Sequence, residues 1–300
     1  MPERYSQSLA GYRNLRNLCH AKKERTMKRA ILTLMGWMLL SQGCSYGVAD
    51  DCLPPEETVN IRMAIAEEKL PTRAPVTTID ASNLSSVGIY AVREGSTAGQ
   101  YPWTPTPFAL NLTPSGISGN QISFNPKLYY PLGGKRVIFY GYYPRTTATT
   151  GNNYIIAPDN GIAPTYHFTL TGAEDVMYAV STPTGSTSTS PVSLTFNHVL
   201  TQLRLNTSLL GSLSSIKLVG VSNKGTLNIG SGGVTYDSSV TDIALTIPLL
   251  GAVTDAVMVP AGVASYKVEV VLLLSLLKRT YLVKPTSGTF QPGVIYTISL

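Results

Sequence analysis

Along residues 192–207 the chain reads VSLTFNHVLTQLRLNT, and its apolar positions change phase midway. Val192, Leu194 and Phe196 alternate with Ser193 and Thr195, which predicts a strand with one apolar face and one small polar face. After Asn197 and His198 the apolar positions move to odd numbers, at Val199, Leu203 and Leu205. A slip of one residue reverses every side chain of a strand, so a bulge or bend near Asn197 and His198 is expected to return the apolar face to the core.

The same period of two recurs in short runs. Val59, Ile61, Met63 and Ile65 share one face of 58–66, which predicts a half-buried first strand, and a polar, proline-flanked loop follows over 67–75. Further strand signals fall at 87–92, 108–112, 137–143, 166–170 and 176–180, and after 207 at 216–221, 226–229, 234–236, 243–247 and 256–260. The strongest, 266–274, alternates at first and then turns apolar on both faces, as a central strand buried from both sides would. In 293–300, Val294, Tyr296, Ile298 and Leu300 lie on one face. Repeated short strands with Gly and Pro between them predict an all-β sandwich or barrel.

Composition agrees. With 43% hydrophobic residues in 300 the chain can fill real cores, and with 13% charged residues it is poor in the usual surface residues of helices. The tract 181–191 has no large apolar side chain and cannot support packing. The boundary is therefore placed there: a first β-sandwich domain over 58–182, a linker over 183–191 and a second over 192–300. A long hairpin loop inside one domain is the competing view.

Residues 1–43 read as a leader. Residues 1–26 are basic and show no core pattern; Met27, Lys28 and Arg29 then precede eleven mostly apolar residues, the layout of a secretory signal. The run is too short to span a bilayer, which takes roughly 20 apolar residues. Met27 is thus a second candidate start, with a short cytoplasmic tail as the alternative. Leu40, Ser41, Gln42, Gly43 and Cys44 resemble a bacterial lipobox, in which the cysteine takes a diacylglycerol thioether and, after cleavage, an acylated amine. Two or more acyl chains anchor stably where one does not. An ordinary signal with an incidental cysteine is the other reading. Residues 44–57, with Asp50, Asp51, Pro54, Pro55, Glu56 and Glu57, form a solvated tether. With Cys19 lost in the leader and Cys44 acylated, Cys52 has no partner, and no disulfide framework is implied.

The net charge of +6 resides in the leader, which holds 8 Lys/Arg against 2 acids, leaving 15 of each in the remainder. A nucleic-acid partner therefore lacks a basic face. His167 and His198 stand far apart on expected strands, and neither H-E-x-x-H nor G-x-S-x-G occurs. Gly133, Gly134 and Lys135 lack the rest of a phosphate-binding loop and read as a hairpin turn. No enzyme, metal or cofactor is expected. Tyr140, Tyr142 and Tyr143 read as half-buried sandwich residues or as a sugar platform. Residues 103–107 read as an exposed loop.

The segment 194–205, LTFNHVLTQLRL, resembles the F-x-H-x-L-x-x-L stretch of fimbrillins, the lipoprotein precursors of type V pili, and their relatives. In the same order, 129–144 resembles their YYP…V-x-F-x-(A/G)-YYP segment, 175–179 their D-(L/V)-M-x-A strand and 293–300 their G-x-x-Y-x-(I/L)-x-(I/L) ending. The resemblance covers most of 58–300 and implies two tandem transthyretin-like β-sandwich domains and a structural subunit or adhesin of a surface fimbria. It also implies that a protease cuts between Arg73 and Ala74, freeing the strand with Val59, Ile61, Met63 and Ile65 and opening a groove for a neighbour's segment. Arg73 as an ordinary loop cation, with the strand staying in place, is the alternative. The implied partners are other fimbrial subunits, the outer membrane through acyl chains on Cys44, and a host protein or glycan receptor. A stand-alone surface lipoprotein that binds glycan or polysaccharide is the reading from another class.

Overall fold

The computed structural model describes residues 60–67, 79–103, 109–159, 161–188, 190–247, 253–274 and 277–300. In chain order the strands are β1 Met63–Glu67, β2 Gly88–Arg93, β3 Ala109–Leu112, β4 Gly116–Ser118, β5 Gln121–Ser123 and β6 Val137–Tyr143. Next come β7 Tyr154–Ile156, β8 Thr165–Thr169, β9 Met177–Val180, β10 Val192–His198, β11 Leu200–Asn206, β12 Leu213–Ser222 and β13 Lys224–Asn228. The last six are β14 Val234–Tyr236, β15 Val240–Ala244, β16 Val257–Pro260, β17 Tyr266–Leu272, β18 Lys278–Val283 and β19 Ile295–Ser299. Among the described residues the only helical segment is the 3-10 turn Leu84–Ser86, so the protein is all-β.

The widest sheet has the order β3-β2-β6-β9-β10-β1-β5-β4. It folds along β10, whose residues 192–196 pair with β1 while Asn197 and His198 pair with β9. The two halves enclose a first core containing Met63, Ile65, Ile89, Phe139, Leu194 and Phe196. Phe196 lies across β6 at Gly141, where a Cβ would stand 2.5 Å from the ring. The ring therefore occupies the space that any larger residue at 141 would need.

On the other face of β2 and β6 a four-stranded sheet, β14-β13-β8-β7, closes a second core rich in aromatic rings. Trp103 packs on Tyr140 at 4.9 Å, Tyr142 on Tyr166 at 5.5 Å and Tyr166 on Phe168 at 5.8 Å between ring centroids. Offset and edge contacts of this kind add to plain burial. A third core, holding Leu203, Leu205, Leu218, Val259, Val268 and Phe290, lies between the sheets β16-β11-β19 and β15-β12-β17-β18.

These cores explain the phase change and correct what was expected of it. The bend does not return the chain to the core it came from. Val192, Leu194 and Phe196 fill the first core, Val199 and Leu200 the second, and Leu203 and Leu205 the third. The chain changes core there, whereas the tract 183–191, expected as a domain boundary, joins β9 to β10, two neighbours of one sheet. Likewise β8 pairs with β13 across that tract.

Two other expectations differ. β17 alternates as far as Val270, with Lys267 exposed and Glu269 half-buried, and Val271 and Leu272 are both only half-buried, so the strand is not buried from both sides. The apolar run beyond it leaves the sandwich: Leu273 and Leu274 are exposed in the turn before β18. Trp103, expected in an exposed loop, is buried against Tyr90 and Tyr140.

Asn111 pins β3 to the connection after β6. It is the one non-glycine among the described residues with positive φ, at 45°. Its Nδ2 donates to the Thr146 carbonyl at 2.9 Å and its Oδ1 accepts from the Tyr142 hydroxyl at 2.8 Å. Asn111→Ala removes both bonds and places a less tolerant residue in the left-handed region. The expected loss is about 2–3 kcal/mol, read by urea denaturation, with Asn111→Gly losing less because it relieves the backbone strain.

Candidate strand-exchange site

The first strand is where sequence and structure converge. Residues 63–67 of β1 run parallel to β10, pairing one for one with 192–196. On its other side Met63 and Ala64 pair antiparallel with Ile122 and Gln121 of β5. The amide of Ile65 donates to the Asn120 carbonyl and that of Ile61 to the Leu128 carbonyl, both at 2.8 Å, and the Val192 amide donates to the Arg62 carbonyl at 2.7 Å. The strand therefore sits in a slot with two hydrogen-bonding walls.

The alternation in the sequence decides which way its side chains face. Ile61, Met63 and Ile65 are buried in the first core, while Arg62 is exposed and Ala64 half-exposed. The other expected member of this face, Val59, lies outside the described residues, as do Cys44, Arg73 and Ala74.

An internal strand differs from an edge strand in what its departure does. Here β5 pairs only with β1 and β4, so the β4–β5 hairpin reaches the rest of the sheet through β1. Ile122 and Phe124 still anchor that hairpin by burial in the first core. Departure of β1 would expose two rows of backbone groups, and an unpaired buried amide or carbonyl is costly. Neither β4 nor β5 was expected from the sequence: each has three residues and a single large apolar side chain.

The wall at β10 is fixed at its far end by a buried hydrogen bond between histidine and carboxylate side chains. His198 Nδ1 lies 2.9 Å from Asp175 Oδ1, with the side chains 2% and 1% exposed. One residue further, the Val199 amide donates to the Val176 carbonyl at 2.9 Å. The two motifs 175–179 and 194–205 therefore meet in space at the point where the chain changes core. Sequence pattern showed the two motifs but not that they touch.

A second fixed point is Glu94. Arg136 Nη2 donates to its Oε1 at 2.9 Å and the Gly99 amide donates to the same oxygen at 2.6 Å. The Arg136 guanidinium, with the Gly99 amide behind it, holds the carboxyl down to about 2. A folded-state value below the unfolded one contributes stability that is complete above the ordinary glutamate range and is lost as pH falls through about 2. Glu94→Gln is expected to flatten the acid limb of the stability profile between roughly pH 4.5 and 2 and leave its shape above pH 6 unchanged, which thermal melts across pH would show.

The remaining candidates are structural. His167 stacks on Tyr154 at 4.3 Å, and the Thr226 and Thr165 hydroxyls lie 3.0 and 3.3 Å from its two ring nitrogens. Burial lowers its pKa. Among the described residues no three His, Cys, Asp or Glu side chains group as a metal site. Tyr140 and Tyr142 are buried in the second core, and Tyr143 is half-buried against the first, so none of them forms an exposed sugar platform.

No curated protein sequence matches the chain. Its fold is similar to the crystal structure of a candidate cell adhesion protein from Bacteroides uniformis, with 17% identity and a TM-score of 0.54 over 82% of this chain and 94% of that one. A candidate cell adhesion protein from Bacteroides ovatus is similar to the same degree, with 17% identity and a TM-score of 0.55 over 81% and 92% of the two chains. At such identity the likeness concerns the fold. The model of the fimbrillin-like family matches residues 72–300, nearly the whole of the all-β body, and the chain belongs to that family.

Proposed function

We propose that the protein is a fimbrial structural subunit or fimbria-associated adhesin, exported as a lipoprotein on Cys44 and assembled by strand addition. In this reading cleavage between Arg73 and Ala74 frees the segment with Val59, Ile61, Met63 and Ile65, and an extended segment of a neighbouring subunit takes its place. One observation carries the reading: β1 lies alone between β10 and β5, bonded to both, and the segment 68–78 that follows it contains Arg73. Two walls of backbone groups supply affinity for any strand, and the positions filled by Ile61, Met63 and Ile65 supply selectivity.

Magnitudes favour replacement over vacancy. Burying those three side chains is worth roughly 4.5–9 kcal/mol before ordering costs, at about 1.5–3 kcal/mol each. That is comparable with the net stability of a whole domain, about 5–15 kcal/mol. A slot emptied of β1 is therefore strongly receptive and poorly stable alone. Membership of the fimbrillin-like family supports a place at the cell surface among other fimbrial subunits. Acyl chains on Cys44 would hold the precursor at the outer membrane before assembly.

Treatment of the purified precursor with an Arg-specific protease tests this. The expected products are a fragment that begins at Ala74 and ladders of its multimers that resist SDS. Precursor that stays intact at saturating protease, or cut protein that remains monomeric, contradicts the proposal.

A further inference from the structure

The four sheets leave eight edge strands among the described residues, and seven of them are blunted. β4, β7 and β14 have three residues each, and β3 has four, interrupted by Asn111 at positive φ. β15 carries Asp242 and a register shift against β12, β16 ends on Pro260, and β18 opens with the exposed Lys278 and Arg279. Short length, charge, proline and bulges are the usual means by which sheets avoid pairing with another chain. β19 has none of them. Its five residues, Ile295, Tyr296, Thr297, Ile298 and Ser299, include no charge, no proline and no glycine.

Its inner side is fully engaged. Residues 295–299 pair in parallel with 202–206 of β11, and the Leu300 amide donates to the Asn206 carbonyl at 3.0 Å. On its outer side lies no described strand, and Thr297 and Ser299 are exposed. This edge offers a row of backbone groups with nothing in the sequence to repel a partner.

We propose that the outer edge of β19 pairs antiparallel with the same edge of a second copy of this chain, about a two-fold axis at Thr297. The choice of occupant follows from charge and symmetry. A two-fold brings a patch against itself, so any charge near the centre of the strand would meet its own like; β19 carries none. Centred on Thr297, the pairing sets Tyr296 opposite Ile298 of the second copy, twice over. Aromatic with β-branched is a favourable cross-strand pair. Tyr296 and Ile298 also pack on the third core from within the same face, so the joined sheets continue one apolar floor. This interaction does not depend on cleavage at Arg73.

The test uses the chain from Ser45 onward with Cys52→Ser. Sedimentation is expected to show a concentration-dependent dimer, and Thr297→Lys to raise its dissociation constant at least tenfold while the thermal midpoint stays put. Under oxidation Thr297→Cys is expected to give a disulfide-linked dimer, since the two copies of that residue face each other. Ser299→Cys, which faces Ile295, is expected to give none. A chain that is monomeric at every concentration, a dimer indifferent to Thr297→Lys, or equal cross-linking of the two cysteine variants would overturn the proposal.

Discussion

Asp175→Ala is expected to lower the unfolding free energy by about 2–4 kcal/mol, a buried hydrogen bond lost together with the desolvation penalty of the group left behind. The size follows from where the pair lies. Both side chains are almost completely buried, and they join Asp175, two residues before β9, to the last residue of β10 at 2.9 Å. Nothing in the solvent can replace the hydrogen bond lost at that depth. The same contact holds the point at which the chain leaves the first core for the second. Asp175→Asn retains a hydrogen-bonding group and is expected to lose less than the alanine variant. In a double-mutant cycle with His198→Ala, the sum of the two single losses is expected to exceed the loss in the double variant by at least about 1 kcal/mol. Urea denaturation reads all four variants; a loss below about 1 kcal/mol for Asp175→Ala would show that the pair does not hold the changeover.

Met63→Asp is expected to be worse, removing more than about 4 kcal/mol and leaving too little stability for a folded monomer at 37 °C. Met63 is 0% exposed and sits between β10 and β5 in the middle of the first core. Truncating a buried methionine already costs about 2–5 kcal/mol, and the aspartate adds a carboxylate with no described partner on that face. Asn60, exposed at the mouth of the same segment, provides the comparison. Asn60→Asp is expected to change stability by no more than about 0.5 kcal/mol. A folded Met63→Asp variant with near-normal denaturation would mean that β1 is only loosely seated.

Much of this architecture was legible because strands with one buried face write their period into the chain. β8, β10 and β19 each show it. The first strand was readable for the same reason: Ile61, Met63 and Ile65 alternate with Arg62 and Ala64. β4 and β5 were not, since three-residue strands with one isoleucine each carry no period, yet they form one wall of the slot. β15 lies at Val240–Ala244, earlier than the apolar residues 243–247 suggested, because its pairing with β12 is set by a register shift. The leucines after β17 misled for a different reason. An apolar run reads as burial from both sides, but here it turns out into solvent at Leu273 and Leu274. The Asp175–His198 contact spans 23 residues and depends on the fold of the sheet along β10, which no local pattern encodes.

Assembly by strand addition requires that the place of β1 accept a strand from outside the chain. A chain beginning at Ala74, mixed with a synthetic peptide of residues 58–67, addresses this directly by thermal unfolding. The account predicts a poorly stable truncated chain that regains cooperative unfolding as peptide is added, and no rescue by the same peptide carrying Met63→Asp. Truncated protein as stable as the full chain without peptide, or unchanged at saturating peptide, would contradict it.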